Sequence, residues 1–220
     1  MALPSLTRVF ELLLERFGSQ SWWPADDTFE MMVGAVLTQN TAWRNVELSI
    51  AALKEAQVMT PLALHWLEHQ ELQVLIRSSG FFQRKSQCLK NLAAVICRDY
   101  QGRVDSFLGG DLHAVRQRLL DQPGIGPETA DCMVLYGAGL PIFVVDAYTR
   151  RIFSRLGLLD AKARYDMVQR YAMQHLPADT SLFNEFHALL VELGKVCCRS
   201  RNPRCEACPL NQHCRSAFSR

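Results

Sequence analysis

The sequence predicts an all-α protein, and three observations predict it. Apolar residues recur at helical spacing along nearly the whole chain, no segment alternates apolar and polar residues as a half-buried strand would, and 49% of the 220 residues are apolar. A chain of that size and composition can close one large core or two small ones, which excludes extended disorder.

The first helix is marked by Phe10, Leu13, Leu14 and Phe17 behind a Ser5 or Thr7 cap. Helical spacing recurs over Thr28 to Leu37, Val46 to Ala56, Leu62 to His69, Glu71 to Arg77, Lys85 to Tyr100 and Leu112 to Leu120. These six helices define a domain over residues 25–140, and residues 1–24 are expected to pack with 141–220 as a second helical unit. One segment breaks the rhythm. Leu140-Pro-Ile-Phe-Val-Val-Asp146 is apolar and β-branched after two glycines, so it reads as an extended crossover between the units. Asp146 ends it and opens the next helix, Ala147 to Leu156.

A formal net charge of +2 gives no bulk electrostatic case for a nucleic-acid partner, so any such function rests on local patches. Arginine outnumbers lysine 19 to 5, which suits bidentate phosphate contacts. The opening residues, Met1 to Arg8, hold no basic leader region and no cleavable apolar stretch, and no later uncharged run is long enough to span a bilayer. A soluble cytoplasmic protein without a membrane partner is expected. In a reducing compartment eight cysteines do not read as a disulfide framework, and four of them crowd into one short stretch.

That stretch spaces Cys198, Cys205, Cys208 and Cys214 as C-x6-C-x2-C-x5-C. Four thiolates on one compact loop suit a [4Fe-4S] cubane, whose irons each take one cysteine. Structural zinc is the rival, although zinc sites usually pair two C-x2-C knuckles and only one is present. Cys197 reads as a bystander beside a ligand, and Cys88, Cys97 and Cys132 lie on helical faces. Upstream, Gln122-Pro-Gly-Ile-Gly-Pro-Glu-Thr-Ala-Asp131 places Gly124 and Gly126 in a tight turn and Pro127 at the first position of a helix. Amides at such a start can hold a DNA phosphate without reading sequence, and an ordinary helix–helix turn is the alternative. Asp146, 18 residues after Glu128, reads locally as a helix N-cap.

Taken together, the cysteine spacing, the Pro123-Gly124-Ile125-Gly126 turn and the aspartate resemble the endonuclease III family of helix-hairpin-helix DNA glycosylases, over nearly the whole chain. The resemblance implies a two-domain fold: a six-helix barrel domain with the hairpin at about 112–136, and a [4Fe-4S] cluster domain. It implies a monomer acting on double-stranded DNA that contains a damaged base, nucleoid-associated if the source is bacterial. The cluster would be mainly structural, with Arg199, Arg201 and Arg204 of the first intercysteine loop on DNA phosphates and Gly124, Ile125 and Gly126 holding the backbone. Asp146 would be the catalytic carboxylate, stabilising an oxocarbenium-like sugar and activating water. Glu128 departs from the pattern. Bifunctional members carry lysine at that position, whose amine forms a Schiff base, and a carboxylate cannot do so. A first-turn acid that complements the helix dipole is its simpler reading. The resemblance therefore implies a glycosylase without lyase activity.

Such an enzyme extrudes its base, holds it between aromatic faces and fills the gap left in the duplex. Trp22-Trp23-Pro24 and Thr38-Gln39-Asn40-Thr41-Ala42-Trp43 supply stacking and hydrogen-bonding groups, with plain packing the alternative for each tryptophan. By resemblance, Gln39 enters the vacated space, and Phe81 of Gly80-Phe-Phe-Gln-Arg-Lys85 wedges into the opposite strand. Phe82 reads as core and Lys85 as a helix-start cation. The Trp-Trp-Pro element, the Thr-Gln-Asn-Thr-x-aromatic element and Asn184-Glu185-Phe186-His187 are similar to the type III 3-methyladenine DNA glycosylase branch. That implies an alkylated purine stacked on Trp22, Trp23 and Trp43, with Lys195 behind; a phosphate contact and plain solvation are the alternatives for that lysine. Two other readings stay open: a bifunctional glycosylase for oxidised pyrimidines, and a non-catalytic iron-sulfur damage sensor.

Overall fold

The computed structural model describes residues 4–218, and among them there is no strand. The first three residues of the segment read for a leader lie outside the described residues. No helix is long and apolar enough to cross a membrane, among the described residues. The chain divides into two compact units, one formed by the N-terminal residues through Trp22 together with Pro141 onward, the other by Trp23–Leu140.

The continuous unit is built around α2 (Thr28–Leu37), which is buried at every position from Phe29 to Leu37. A helix apolar on all sides has no solvent face and so takes the centre. Asp27 caps it by accepting from the Glu30 amide at 2.8 Å. The unit continues with α3 (Trp43–Glu55), α4 (Pro61–Trp66), α5 (His69–Leu75), α6 (Phe82–Tyr100), α7 (Val104–Phe107), α8 (Leu112–Leu120) and α9 (Pro127–Cys132); of these α3, α6 and α9 pack against α2, while α4, α5 and α7 pack on α6 and α8 on α9. Two differences from the sequence expectation have local causes. Helix α3 starts at Trp43, three residues before Val46, because Trp43 belongs to the packed set rather than to a free loop. Short helix α7 holds too few residues to show a period, whereas α9 starts at Pro127 as expected. Lys85 is also corrected: it is no solvated helix-start cation but a buried residue, 2% exposed.

The discontinuous unit opens with α1 (Leu6–Phe17), capped by Ser5 through the Arg8 amide at 3.2 Å. Its core is a cluster of phenylalanines about Phe143: ring centroids lie 5.5 Å from Phe183, 5.8 Å from Phe186 and 6.3 Å from Phe153. Truncating so buried a phenylalanine to alanine costs about 3–5 kcal/mol. Phe143 lies in the extended crossover, where Ile142, Phe143, Val144 and Val145 are all buried. Extended backbone inside a core needs partners, and α11 (Tyr165–His175) supplies them. Gln169 donates to the Phe143 carbonyl at 2.7 Å, and the Val145 amide donates to the Tyr165 hydroxyl at 3.4 Å. The crossover ends at Asp146, which opens α10 (Ala147–Leu156); α12 (Thr180–Val196) and α13 (Arg215–Phe218) complete the unit. Gly194 lets α10 and α12 meet closely, since a β-carbon there would collide with the Tyr148 ring.

Candidate active site and iron-sulfur centre

Asp146 does two things with its two oxygens. Oδ1 caps α10, accepting from the Thr149 amide at 2.7 Å, and Oδ2 lies 3.7 Å from His187 Nε2 on α12. The carboxylate is 13% exposed and the imidazole 6%. Burial by itself pushes the Asp146 carboxyl up, but the His187 ring and the Thr149 amide outweigh it and hold the group below the ordinary carboxylate range. Asp146 is thus an ionised carboxylate in a sheltered setting, with one oxygen anchored and the other facing a histidine. His187 has no role of its own in the sequence reading, where it appears only within the Asn184–His187 element.

The rest of that element faces other ways. Phe186 packs in the core against Phe10, at 5.6 Å between centroids, and Phe143. Glu185 fixes the segment leading to Trp22: it accepts from Ser19 Oγ at 2.9 Å and from the Gln20 amide at 2.6 Å. Trp22 then meets Lys195, whose Nζ stands 5.8 Å from the indole centroid.

In the other unit, Trp23 packs edge-on to Trp43 at 5.4 Å and tilts against Tyr136 at 5.3 Å. Trp23 also lies over Gly34 of α2, which has no side chain to displace it. Tyr136 was not singled out from sequence, because it sits in the buried run that follows α9 and carries no periodic signal there.

The hairpin joins α8 to α9. Gly124 has φ +93°, and a β-carbon there would lie 3.0 Å from Cys88 Cβ, so glycine is required by both backbone and packing. Gly126 is different: its φ is −94° and a β-carbon would meet nothing within 4 Å. Ile125, between them, buries its side chain and donates its amide to the Gln122 carbonyl at 3.1 Å, so its contribution is the shape of the turn. Glu128 is exposed on the first turn of α9. Gln39 reaches this hairpin, its amide nitrogen donating to the Gly124 carbonyl at 3.1 Å and to Thr129 Oγ1 at 3.0 Å. Phe81 is 64% exposed in the left-handed region at φ 46°, while Phe82 is half-buried.

Cys198, Cys205, Cys208 and Cys214 line one cavity, with Cys197 and Arg155 also in its wall. A single zinc ion draws four sulfurs to about 2.3 Å from one point. Here the four cysteines line the wall of a cavity. The four-cysteine donor set fits a cubane cluster. Arg155 donates to Cys198 Sγ at 3.3 Å and to the carbonyls of Arg199 at 2.6 Å and Ser200 at 3.1 Å, which shapes the loop. Arg151 donates to the Cys198 carbonyl at 2.8 Å. Burial pushes the Cys208 thiol up to about 12, so in the protein alone this sulfur keeps its proton and loading a cluster must displace it. The Cys197 thiol donates to the Ala207 carbonyl at 3.6 Å. Arg199, Arg201 and Arg204 are all exposed on the first intercysteine loop.

Residues 33–178 match the model of the HhH-GPD superfamily base excision DNA repair protein, and residues 198–214 match the iron-sulfur binding domain of endonuclease III. A protein of Methanocaldococcus jannaschii, provisionally named a DNA repair glycosylase, is 39% identical over 95% of both chains. Among solved structures, a trapped covalent intermediate of endonuclease III with DNA has the same fold, with a TM-score of 0.85 over 97% of this chain and 96% of the other at 24% identity. The H. pylori 3-methyladenine DNA glycosylase bound to 1,N6-ethenoadenine matches with a TM-score of 0.75 at 27% identity, over 86% of this chain and 95% of the other. Two-thirds of the chain thus follows the helix-hairpin-helix repair model and its cysteine loop follows the cluster model, so the chain belongs to the HhH-GPD superfamily as an endonuclease III-like base excision repair DNA glycosylase with an iron-sulfur domain.

Proposed function

We propose that this glycosylase removes alkylated purines by water attack, without cleaving the strand. The observation that carries the reading is the pair of acids. Asp146 is a sheltered carboxylate held ionised, and Glu128 occupies the hairpin position where the bifunctional pattern has lysine. An ionised carboxylate can stabilise positive charge on the sugar as the glycosidic bond breaks and can accept the proton of the attacking water. An amine nucleophile is harder to find. Lys54 is paired with Asp26 and Glu30, Lys85 is buried among oxygens, and Lys90 donates to the carbonyls of Leu64 and Leu67 at 3.2 and 2.6 Å and to that of His65. Lys162 and Lys195 are left exposed, and Lys195 is the one that stands beside an aromatic ring.

The aromatic groups support the substrate class. Trp22 already accepts a cation on its face, and Trp23, Trp43 and Tyr136 form a second aromatic set. A cationic methylated purine is electron-poor and gains from both stacking and charge on such surfaces. The H. pylori relative, a 3-methyladenine DNA glycosylase, agrees with this assignment. On the DNA side, the open space at Gly126 suits close approach by a phosphate, and the exposed Arg199, Arg201 and Arg204 suit charge neutralisation. The iron-sulfur group would be held by Cys198, Cys205, Cys208 and Cys214, and when bound it crosslinks the loop that presents those arginines.

The second reading, a bifunctional endonuclease III-type enzyme for oxidised pyrimidines, draws on the iron-sulfur domain match. Base release by the purified protein from methylated, oxidised and deaminated duplexes, with borohydride trapping, separates the readings. Release of methylated purine with no trapped adduct is expected. A covalent protein–DNA adduct overturns the monofunctional reading, and release confined to oxidised pyrimidines overturns the substrate class. Binding to every duplex without any release leaves a damage sensor.

A further inference from the structure

We propose that Lys85 is a positioning residue for base extrusion: its buried ammonium ties the loop carrying Gln39 to the loop carrying Phe81, so that the two enter duplex DNA as one unit. This rests on the wedge reading of Gln39 and Phe81. Lys85 Nζ donates to the Leu37 carbonyl, to Thr41 Oγ1 and to the Ser79 carbonyl, each at 2.7 Å. Those three oxygens use all three of its protons. Two lie on the segment that runs from the end of α2 through Gln39 and Asn40, and the third precedes Gly80 and Phe81. Thr41 Oγ1 also bonds the Ser79 carbonyl directly, so the loops are joined both by the ammonium and by the hydroxyl.

Burying an ammonium without a carboxylate is costly, and the partners here are neutral oxygens. An apolar residue would fill the space at less cost. What the ammonium adds is direction, three fixed bonds to two loops that are otherwise short and irregular. Both loops hold a non-glycine residue in the left-handed region, Asn40 at φ 51° and Phe81 at φ 46°, a conformation that persists only where its surroundings hold it. Gln39 in turn is bonded to Gly124 and Thr129 of the hairpin, and Cys88, one turn along α6 from Lys85, backs Gly124. The first turns of α6 therefore brace all three loops of this unit assigned to DNA.

The test uses the full-length, cluster-loaded protein and a duplex with 2-aminopurine beside the target base, whose fluorescence rises when the stack opens. Lys85→Met is expected to abolish the rise and to slow single-turnover base release from a paired target by about tenfold or more. Its affinity for undamaged duplex should stay within about threefold of wild type, because phosphate contacts elsewhere carry that binding. On a bulged target, where extrusion is already cheap, the rate should return toward wild type. Thr41→Ala, which removes one link and keeps the charge, should show the same pattern more weakly, and it carries the test if Lys85→Met does not fold. An unchanged fluorescence rise, an equal loss of plain duplex binding, or no recovery on the bulge overturns the proposal. A Lys85-dependent rise in a protein that releases no base would sink the enzymatic reading alone, whereas lost release with normal extrusion would sink the clamp alone.

Discussion

The helix starts at Asp146 and Gly126 are built in opposite ways. At α10 the chain supplies its own anion: Asp146 Oδ1 fills the Thr149 amide, and the second oxygen stays sheltered beside His187. At α9 the N-cap is Gly126, with no side-chain cap bond and open space where a side chain would stand. One start is complete and presents a fixed negative charge, while the other leaves its positive end to whatever approaches from outside. In the proposed reading the first does chemistry on the sugar and the second grips phosphate, so damage to the two should separate catalysis from binding.

Asp146→Asn is the sharpest way to break that division. It should lower single-turnover base release by about 10²–10³-fold or more while leaving duplex affinity within about threefold, and a parallel loss of affinity would end the contrast. Next come the two glycines. Gly124→Ala should destabilise the fold by about 1–3 kcal/mol in denaturant melts, from the positive φ and the contact with Cys88. Gly126→Ala should melt like wild type yet bind undamaged duplex about tenfold more weakly, since only an external group needs that space.

A third prediction concerns pH. Because folded Asp146 sits below the ordinary carboxylate range, its contribution to stability is complete above the unfolded pKa of about 3.9 and is lost as pH falls through the lower folded value. Base release should therefore show no Asp146 titration between about pH 5 and 8. Removing the ring in His187→Phe leaves burial with less opposition, so the acid limb of the rate profile should move upward; an unmoved limb would mean His187 does not act on Asp146. The smallest effect belongs to Lys85. Burial brings its pKa down to about 8, so above that pH the unfolded chain keeps a proton the folded chain has released, and stability rises with pH. Relative to Lys85→Met, the wild type should gain roughly 1 kcal/mol from pH 8 to 9, measured by urea unfolding.

What could be read from sequence was local, and what could not was long-range. Helical spacing, the β-branched break at Leu140–Asp146, the two glycines of the hairpin and the cysteine spacing each declare themselves within a few residues. His187 does not: it lies in the apolar run of α12, and its partner is 41 positions away, so pattern alone assigns it to a packed face. Lys85 misleads for the same reason. A lysine in the first turn of a helix reads as solvated, and only folding brings the Leu37 and Ser79 carbonyls around it. Tyr136 is hidden by a wide turn that breaks helical spacing just where it joins Trp23.

The pairing of α10 with α12 carries a further consequence. Asp146 faces His187, Tyr148 lies against Gly194, Arg151 reaches the carbonyls of Gly194 and Cys198, and Arg155 reaches Cys198 Sγ, so partners advance together along the two segments, 41 to 47 positions apart. Two helices whose partners advance together run side by side in the same direction, like two rulers laid edge to edge. Deleting a single residue from the middle of α12 would turn everything beyond it by about 100°. The acid and the cysteine loop stand at opposite ends of that scale, so such a deletion cannot keep both in register. The length of the stretch between His187 and Gly194 is therefore not free to drift.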